Sequence, residues 1–165
     1  MLHFSPFTFH PSPHMKPSVK ILFAVILLWI TAACTASKTT VSQHADLGKY
    51  RYASVINNDT YHIPAELMEY EIQLFDAVES SRLQLVSDYR IAELTLAQQE
   101  QLLLVKFGIN QTDQESIVTV NFIDYMTGRP VASCRGAFGL GFTHNDDLTG
   151  AIKRVATQIS RTFPK

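Results

Sequence analysis

Residues 116–138 alternate apolar and polar positions with a period of two, interrupted once by Met126-Thr127-Gly128-Arg129. In an extended chain that period puts every second side chain on one face, so Val118, Val120 and Phe122 point one way while Thr119, Asn121 and Tyr125 point the other. The Thr-Gly interruption reverses the chain, and Pro130 to Phe138 returns with Ala132, Cys134, Gly136 and Phe138 together. An antiparallel hairpin with one apolar face is not stable alone in water. Whatever else the chain does, it must lay helices or a second sheet on that face.

The rest of the sequence supplies the cover. Leu148, Ala151, Ile152, Val155, Ala156, Ile159 and Phe163 recur at helical spacing over four turns, and Asn145, Asp146 and Asp147 open the helix with the negative charge its amino end favours. A second helix is expected from Pro64, with Leu67, Met68, Ile72, Phe75 and Val78 as its buried stripe. Tyr50 to Ile56 reads as a strand ending at the turn residues 57–59, Leu83 to Ser87 as a short strand, and Thr95 with Gln98 as a capping box opening a brief helical turn. Leu102 to Ile109 is expected as an interior strand, because Leu102 and Leu104 make its second face apolar as well. The expected class is α+β: a mostly antiparallel sheet with two main amphipathic helices, preceded by an N-terminal signal helix.

That signal helix follows from Met15 to Cys34. Lys16 and Lys20 flank a cationic start, Ile21 to Ile30 is an uninterrupted apolar run, and Thr-Ala-Ala-Cys closes it. A run of ten apolar residues falls short of the roughly 20 needed to span a bilayer, so the segment reads as a cleaved export signal rather than a permanent span. Small residues at Ala32 and Ala33 followed by Cys34 resemble a bacterial lipobox, although its usual Leu is replaced, with Thr31 three places before the cysteine and Ile30 four. Thr31 and Ala33 also suit an ordinary small-x-small cleavage site, and that alternative stays open. Residues 1–14, with three His, three Pro and three Phe but no Lys or Arg, make a poor signal start; translation from Met15 is expected instead.

The expected organisation is therefore a start-site extension over 1–14, a lipoprotein signal peptide over 15–33, a lipidated Cys34 with a flexible tether to residue 49, and one globular domain over 50–165. Fifteen flexible residues have a root-mean-square span of roughly 20 Å and an extended limit of about 50 Å. Two of the chain's 14 Lys and Arg residues and none of its 15 acids precede residue 34, so the mature part carries 12 against 15. Scattered, near-balanced charge argues against nucleic acid as a partner, since such binding depends on clustered cations. If Cys34 is lipidated, Cys134 is a lone thiol expected to be buried; under plain secretion, Cys34 and Cys134 could form a disulfide.

The hairpin Asn121-Phe122-Ile123-Asp124-Tyr125-Met126-Thr127-Gly128-Arg129-Pro130-Val131-Ala132-Ser133, followed by a Gly-rich loop and a final helix with Ala151 and Ile159, resembles the small envelope lipoproteins whose domain is similar to the TolB amino-terminal domain. That group includes the curli-secretion channel lipoprotein and penicillin-binding-protein activators. The resemblance implies a protein-binding or assembly role without catalytic residues. It also makes the periplasmic face of the outer membrane the expected location, with Thr35 after the cysteine instead of the Asp associated with inner-membrane retention.

Enzymatic alternatives rest on thin patterns. Gly136-Ala-Phe-Gly139-Leu-Gly141 lies between strand and helix, but its spacing is the reverse of a dinucleotide fingerprint, and Asp146 and Asp147 would oppose a phosphate. His144 near those acids lacks metal-ligand spacing, and neither Ser133 nor Ser160 sits in a nucleophile elbow. Asn58-Asp59-Thr60 and Asn110-Gln111-Thr112 match glycosylation acceptors, which matter only in a eukaryotic secretory pathway. No cofactor, metal or catalytic residue is expected. The expected function is a non-catalytic accessory of an envelope protein complex, with Tyr125, Met126 and Arg129 at the hairpin tip as contact residues, since aromatic, Met and Arg side chains anchor interfaces. The alternative is a secreted or periplasmic small-molecule-binding or enzymatic domain with a Cys34–Cys134 disulfide, which a deep pocket of converging polar groups would favour.

Overall fold

The computed structural model describes residues 37–56 and 68–165. The signal segment, Cys34 and the expected start of the first helix at Pro64 lie outside the described residues. Six strands form one sheet among them, in the order β1-β6-β5-β4-β2-β3. In chain order these are β1 (Lys38–Val41), β2 (Tyr52–Val55), β3 (Gln84–Leu85), β4 (Leu102–Gln111), β5 (Ser116–Asp124) and β6 (Pro130–Phe138). The helices are α1 (Met68–Glu79), the one-turn α2 (Leu96–Gln99) and α3 (His144–Thr162), with 3-10 turns at Leu47–Lys49 and Asp88–Glu93.

The α+β class holds, and the sheet is mixed. Strands β1, β6, β5 and β4 pair antiparallel, whereas β2 runs parallel to both β4 and β3. Parallel neighbours require a crossover, which α1 provides between β2 and β3. The central hairpin puts the expected residues on one face, with Val120 opposite Cys134 and Phe122 opposite Ala132. Val118, Val120, Phe122 and Cys134 are fully buried beneath α3, whose Leu148, Ala151, Ile152, Val155 and Ile159 face the sheet. Phe163 completes that layer against Phe122, with ring centroids 4.7 Å apart.

Two expectations need correction. The stretch 34–49 is not a tether throughout, because Lys38–Val41 pairs with β6 from Arg135 to Ala132 and the next turn packs Leu47 against the core. Its few apolar side chains gave no periodic signal; an edge strand needs only one side of its backbone paired. The buried stripe of α1 is also rotated from the expected one. Tyr70, Leu74, Ala77 and Val78 face inward, while Met68 and Ile72 stand more than half exposed. Tyr70 and Ala77 complete the i, i+4, i+7, i+8 pattern that packs against α3, and an apolar stripe confined to large aliphatics misses them.

Candidate functional site

The hairpin tip is organised by one carboxylate. Asp124 ends β5 on the helix-covered side of the sheet, only 4% exposed. Its Oδ1 accepts from the Thr127 amide at 2.8 Å and from Thr127 Oγ1 at 3.0 Å, which closes the turn. Its Oδ2 accepts from Lys49 Nζ at 2.8 Å and from Tyr50 Oη at 2.7 Å. The donors are the last residue of the Leu47–Lys49 turn and the Tyr50 that follows it, so one side chain ties the hairpin to a part of the chain about 75 residues away. Gly128 adopts φ +66°, a left-handed conformation that costs a side-chain-bearing residue about 1 kcal/mol or more.

The electrostatics follow from these contacts. Burial pushes the Asp124 carboxyl up, but the hydrogen bonds from Lys49, Tyr50 and Thr127 outweigh it and hold the group well below the usual carboxylate range. Burial and the adjacent Asp124 push the Tyr50 phenol up to about 12, and the hydrogen bond to Asp124 raises Lys49. All three groups therefore keep the charge states that bind one another. A carboxylate with both oxygens so occupied acts as a structural clamp rather than as a general base.

The expected contact residues share this turn but differ in exposure. Tyr125 is half-buried and its amide donates to the Leu102 carbonyl; Met126 is 48% exposed and Arg129 is exposed. Met126 borders an open depression of about 570 Å³ beside Gly48, Lys49, Gln101 and Asp124, and Arg129 borders a second one of about 270 Å³ that also touches Lys49, Asp124 and Thr127. Neither is the deep polar pocket that the small-molecule alternative calls for.

The remaining candidates have structural roles. The Cys134 sulfur lies fully buried within 3.6 Å of Thr39 Oγ1 and Thr162 Oγ1, and burial raises its pKa above that of an ordinary thiol. At the start of α3, Thr143 and Asp146 form a reciprocal capping box, and Asp147 Oδ1 accepts from the Gly141 amide at 2.7 Å. The chain's own carboxylates thus occupy the place a phosphate would need, and His144 is exposed beside them. Sequence reading missed Lys49 and Tyr50; the one available signal was the Asp-x-x-Thr-Gly spacing, which marks a side-chain-capped turn but not its distant donors.

No family model matches the chain, and no curated protein matches it either. Among solved structures, a PDZ domain protein from Parabacteroides distasonis is similar at 12% identity with TM-score 0.53, covering 79% of this chain and 36% of that one. The chain thus spans about a third of that protein's length, and the likeness is one of fold. A PelC dodecamer from Paraburkholderia phytofirmans is similar at 16% identity with TM-score 0.44, covering 78% of this chain and 96% of that one. A variant PelC dodecamer from the same organism gives 14% identity and TM-score 0.45, covering 75% and 98%.

Proposed function

We propose that this chain is a lipid-anchored envelope protein, held through Cys34 on the periplasmic side of the outer membrane, and that its domain is a non-catalytic binding or assembly accessory. The address rests on the sequence from Met15 to Cys34. The binding role rests chiefly on the hairpin tip, where the Asp124 clamp fixes a turn that presents Met126 and Arg129 at a rigid end of the sheet. Preorganisation of this kind lowers the entropy lost on binding.

Other features are consistent with this reading. Cys134 lies beneath Thr39 and Thr162, away from solvent, as suits an unpaired thiol better than a disulfide with Cys34. The depressions beside Asp124 are open, as suits a macromolecular contact better than an enclosed ligand. The resemblance of the hairpin to the TolB amino-terminal-like lipoproteins points the same way.

The test is crosslinking in intact cells followed by purification from membranes. Double substitution Tyr125→Ala and Arg129→Ala should remove one or more crosslinked envelope proteins while leaving the amount of membrane-bound protein unchanged. An identical partner set would contradict the tip as the contact surface.

A further inference from the structure

The loop between β6 and α3 exposes two large apolar side chains two residues apart. Leu140 is 66% exposed and Phe142 is fully exposed. Scattered exposed apolar residues need no explanation, but this pair is held out by a stapled backbone. A Cβ at Gly139 would stand 2.2 Å from the Gln114 carbonyl oxygen, and one at Gly141 would stand 2.6 Å from Asp146 Cβ. The Gly141 amide is also tied to Asp147. The backbone at both glycines is pressed against its neighbours, and Leu140 and Phe142 are left projecting.

The position of the loop gives the exposure a meaning. Strand β1 pairs antiparallel with β6 and starts at Lys38, opposite Arg135 near the end of β6. Just before it, Ser37 Oγ accepts from the Ala137 amide at 3.5 Å. The described chain therefore begins beside the last residues of β6, and Leu140 follows Ala137 by three. Cys34 precedes Ser37 by three residues, a reach of about 11 Å at full extension. An acyl chain on Cys34 would hold this end of the sheet at the bilayer surface. The Asp124 clamp and the hairpin tip lie at the opposite end of β5 and β6, about 25–30 Å away along nine-residue strands.

We infer that the Gly139–Phe142 loop docks into the leaflet that carries the Cys34 anchor, with Leu140 and Phe142 entering the boundary between headgroups and acyl chains. The inference rests on the lipidation of Cys34 proposed above. Aromatic and aliphatic side chains on one short loop suit that boundary. Apolar burial is expected to lead the contact, because the charges at this end are of both signs: Glu115 lies 3.7 Å from Arg135, Asp146 and Asp147 accept from Thr143 and Gly141, Arg154 donates to the Ala137 carbonyl and Lys38 is exposed. Insertion is therefore expected in zwitterionic lipid and to be insensitive to salt. The acyl chains supply the affinity; the loop fixes orientation and keeps the hairpin tip facing away from the membrane.

Trp29 is the only Trp and lies in the signal segment, so a mature chain starting at Cys34 has none and an introduced indole reports alone. The full precursor of F142W, L140W or Y125W is expressed in bacteria, and the membrane-purified protein is reconstituted into phosphatidylcholine–phosphatidylethanolamine vesicles with or without brominated acyl chains. Acylation of Cys34 is read on the same samples by mass. Fluorescence of F142W and L140W should be quenched several-fold more than that of Y125W, equally at low and high salt. Acylated protein whose F142W and L140W indoles are no better quenched than Y125W overturns the docking while leaving the anchor intact. The same holds if those indoles are shielded only at high protein density, which would assign the loop to a second copy. Unacylated Cys34 overturns the anchor itself and the docking with it.

Discussion

Asp124 ties distant parts of this fold together, because its two oxygens join the turn of the central hairpin to Lys49 and Tyr50. The Asp124→Asn variant would retain the shape but lose the charge that both donors address. A cost of about 2 kcal/mol is expected at neutral pH, the range for a hydrogen bond to a charged group whose removal leaves partners unsatisfied. Since the folded carboxyl titrates below its ordinary value of 3.8, its contribution is present above that pH and fades as pH falls through the folded range. Tyr50 is raised from 10.0 to about 12, so its contribution is complete below 10 and is lost as the phenol ionises above. Denaturant titrations of the protein and D124N should therefore differ most between about pH 5 and 9 and converge in acid. An equal difference at pH 2 and pH 7 would show that charge is not what the clamp uses.

At the level of elements, α3 is the member on which the sheet depends, since it covers β5 and β6 along most of its length. Its first turn is closed by Thr143 and Asp146 in a reciprocal box. Thr143→Ala should lower stability by about 1 kcal/mol, measured by chemical denaturation, without changing the slope of the transition. The apolar stripe of this helix and the alternation of β5 were plain in the sequence because each has one clean period and one buried face. The Thr95–Gln98 box was legible for a similar reason, since all its partners are local. Strand β1 was not, as four residues reading Lys-Thr-Thr-Val at a sheet edge carry no apolar alternation and their pairing partners lie about 95 residues away. The parallel placement of β2 was hidden because β3, which completes the strand-helix-strand crossover, is only two residues long. The clamp was half legible: the turn around Gly128 announced itself, whereas Lys49 was read as the end of a tether and Tyr50 as the start of a strand, with nothing local to tie either to Asp124.

For the whole molecule, the pairing of β1 with β6 changes how an anchored domain would stand. A fifteen-residue tether would let it roam tens of ångströms from the bilayer. A strand beginning at Lys38 leaves three residues between Cys34 and its start, so an acyl chain on Cys34 would keep the Leu140–Phe142 end of the sheet near the surface, with the hairpin tip at the far end of β5 and β6. The proposed partner contact at the tip and the proposed lipid contact at the loop lie at opposite ends of β5 and β6. Both depend on what happens at Cys34, and the intact mass of the protein purified from bacterial membranes reads that directly. The account predicts a mature chain that starts at Cys34, carries two or three acyl chains, and leaves the membrane fraction when Cys34→Ser is introduced. A mature chain that is unacylated at Cys34, or is joined to Cys134 by a disulfide, would contradict it.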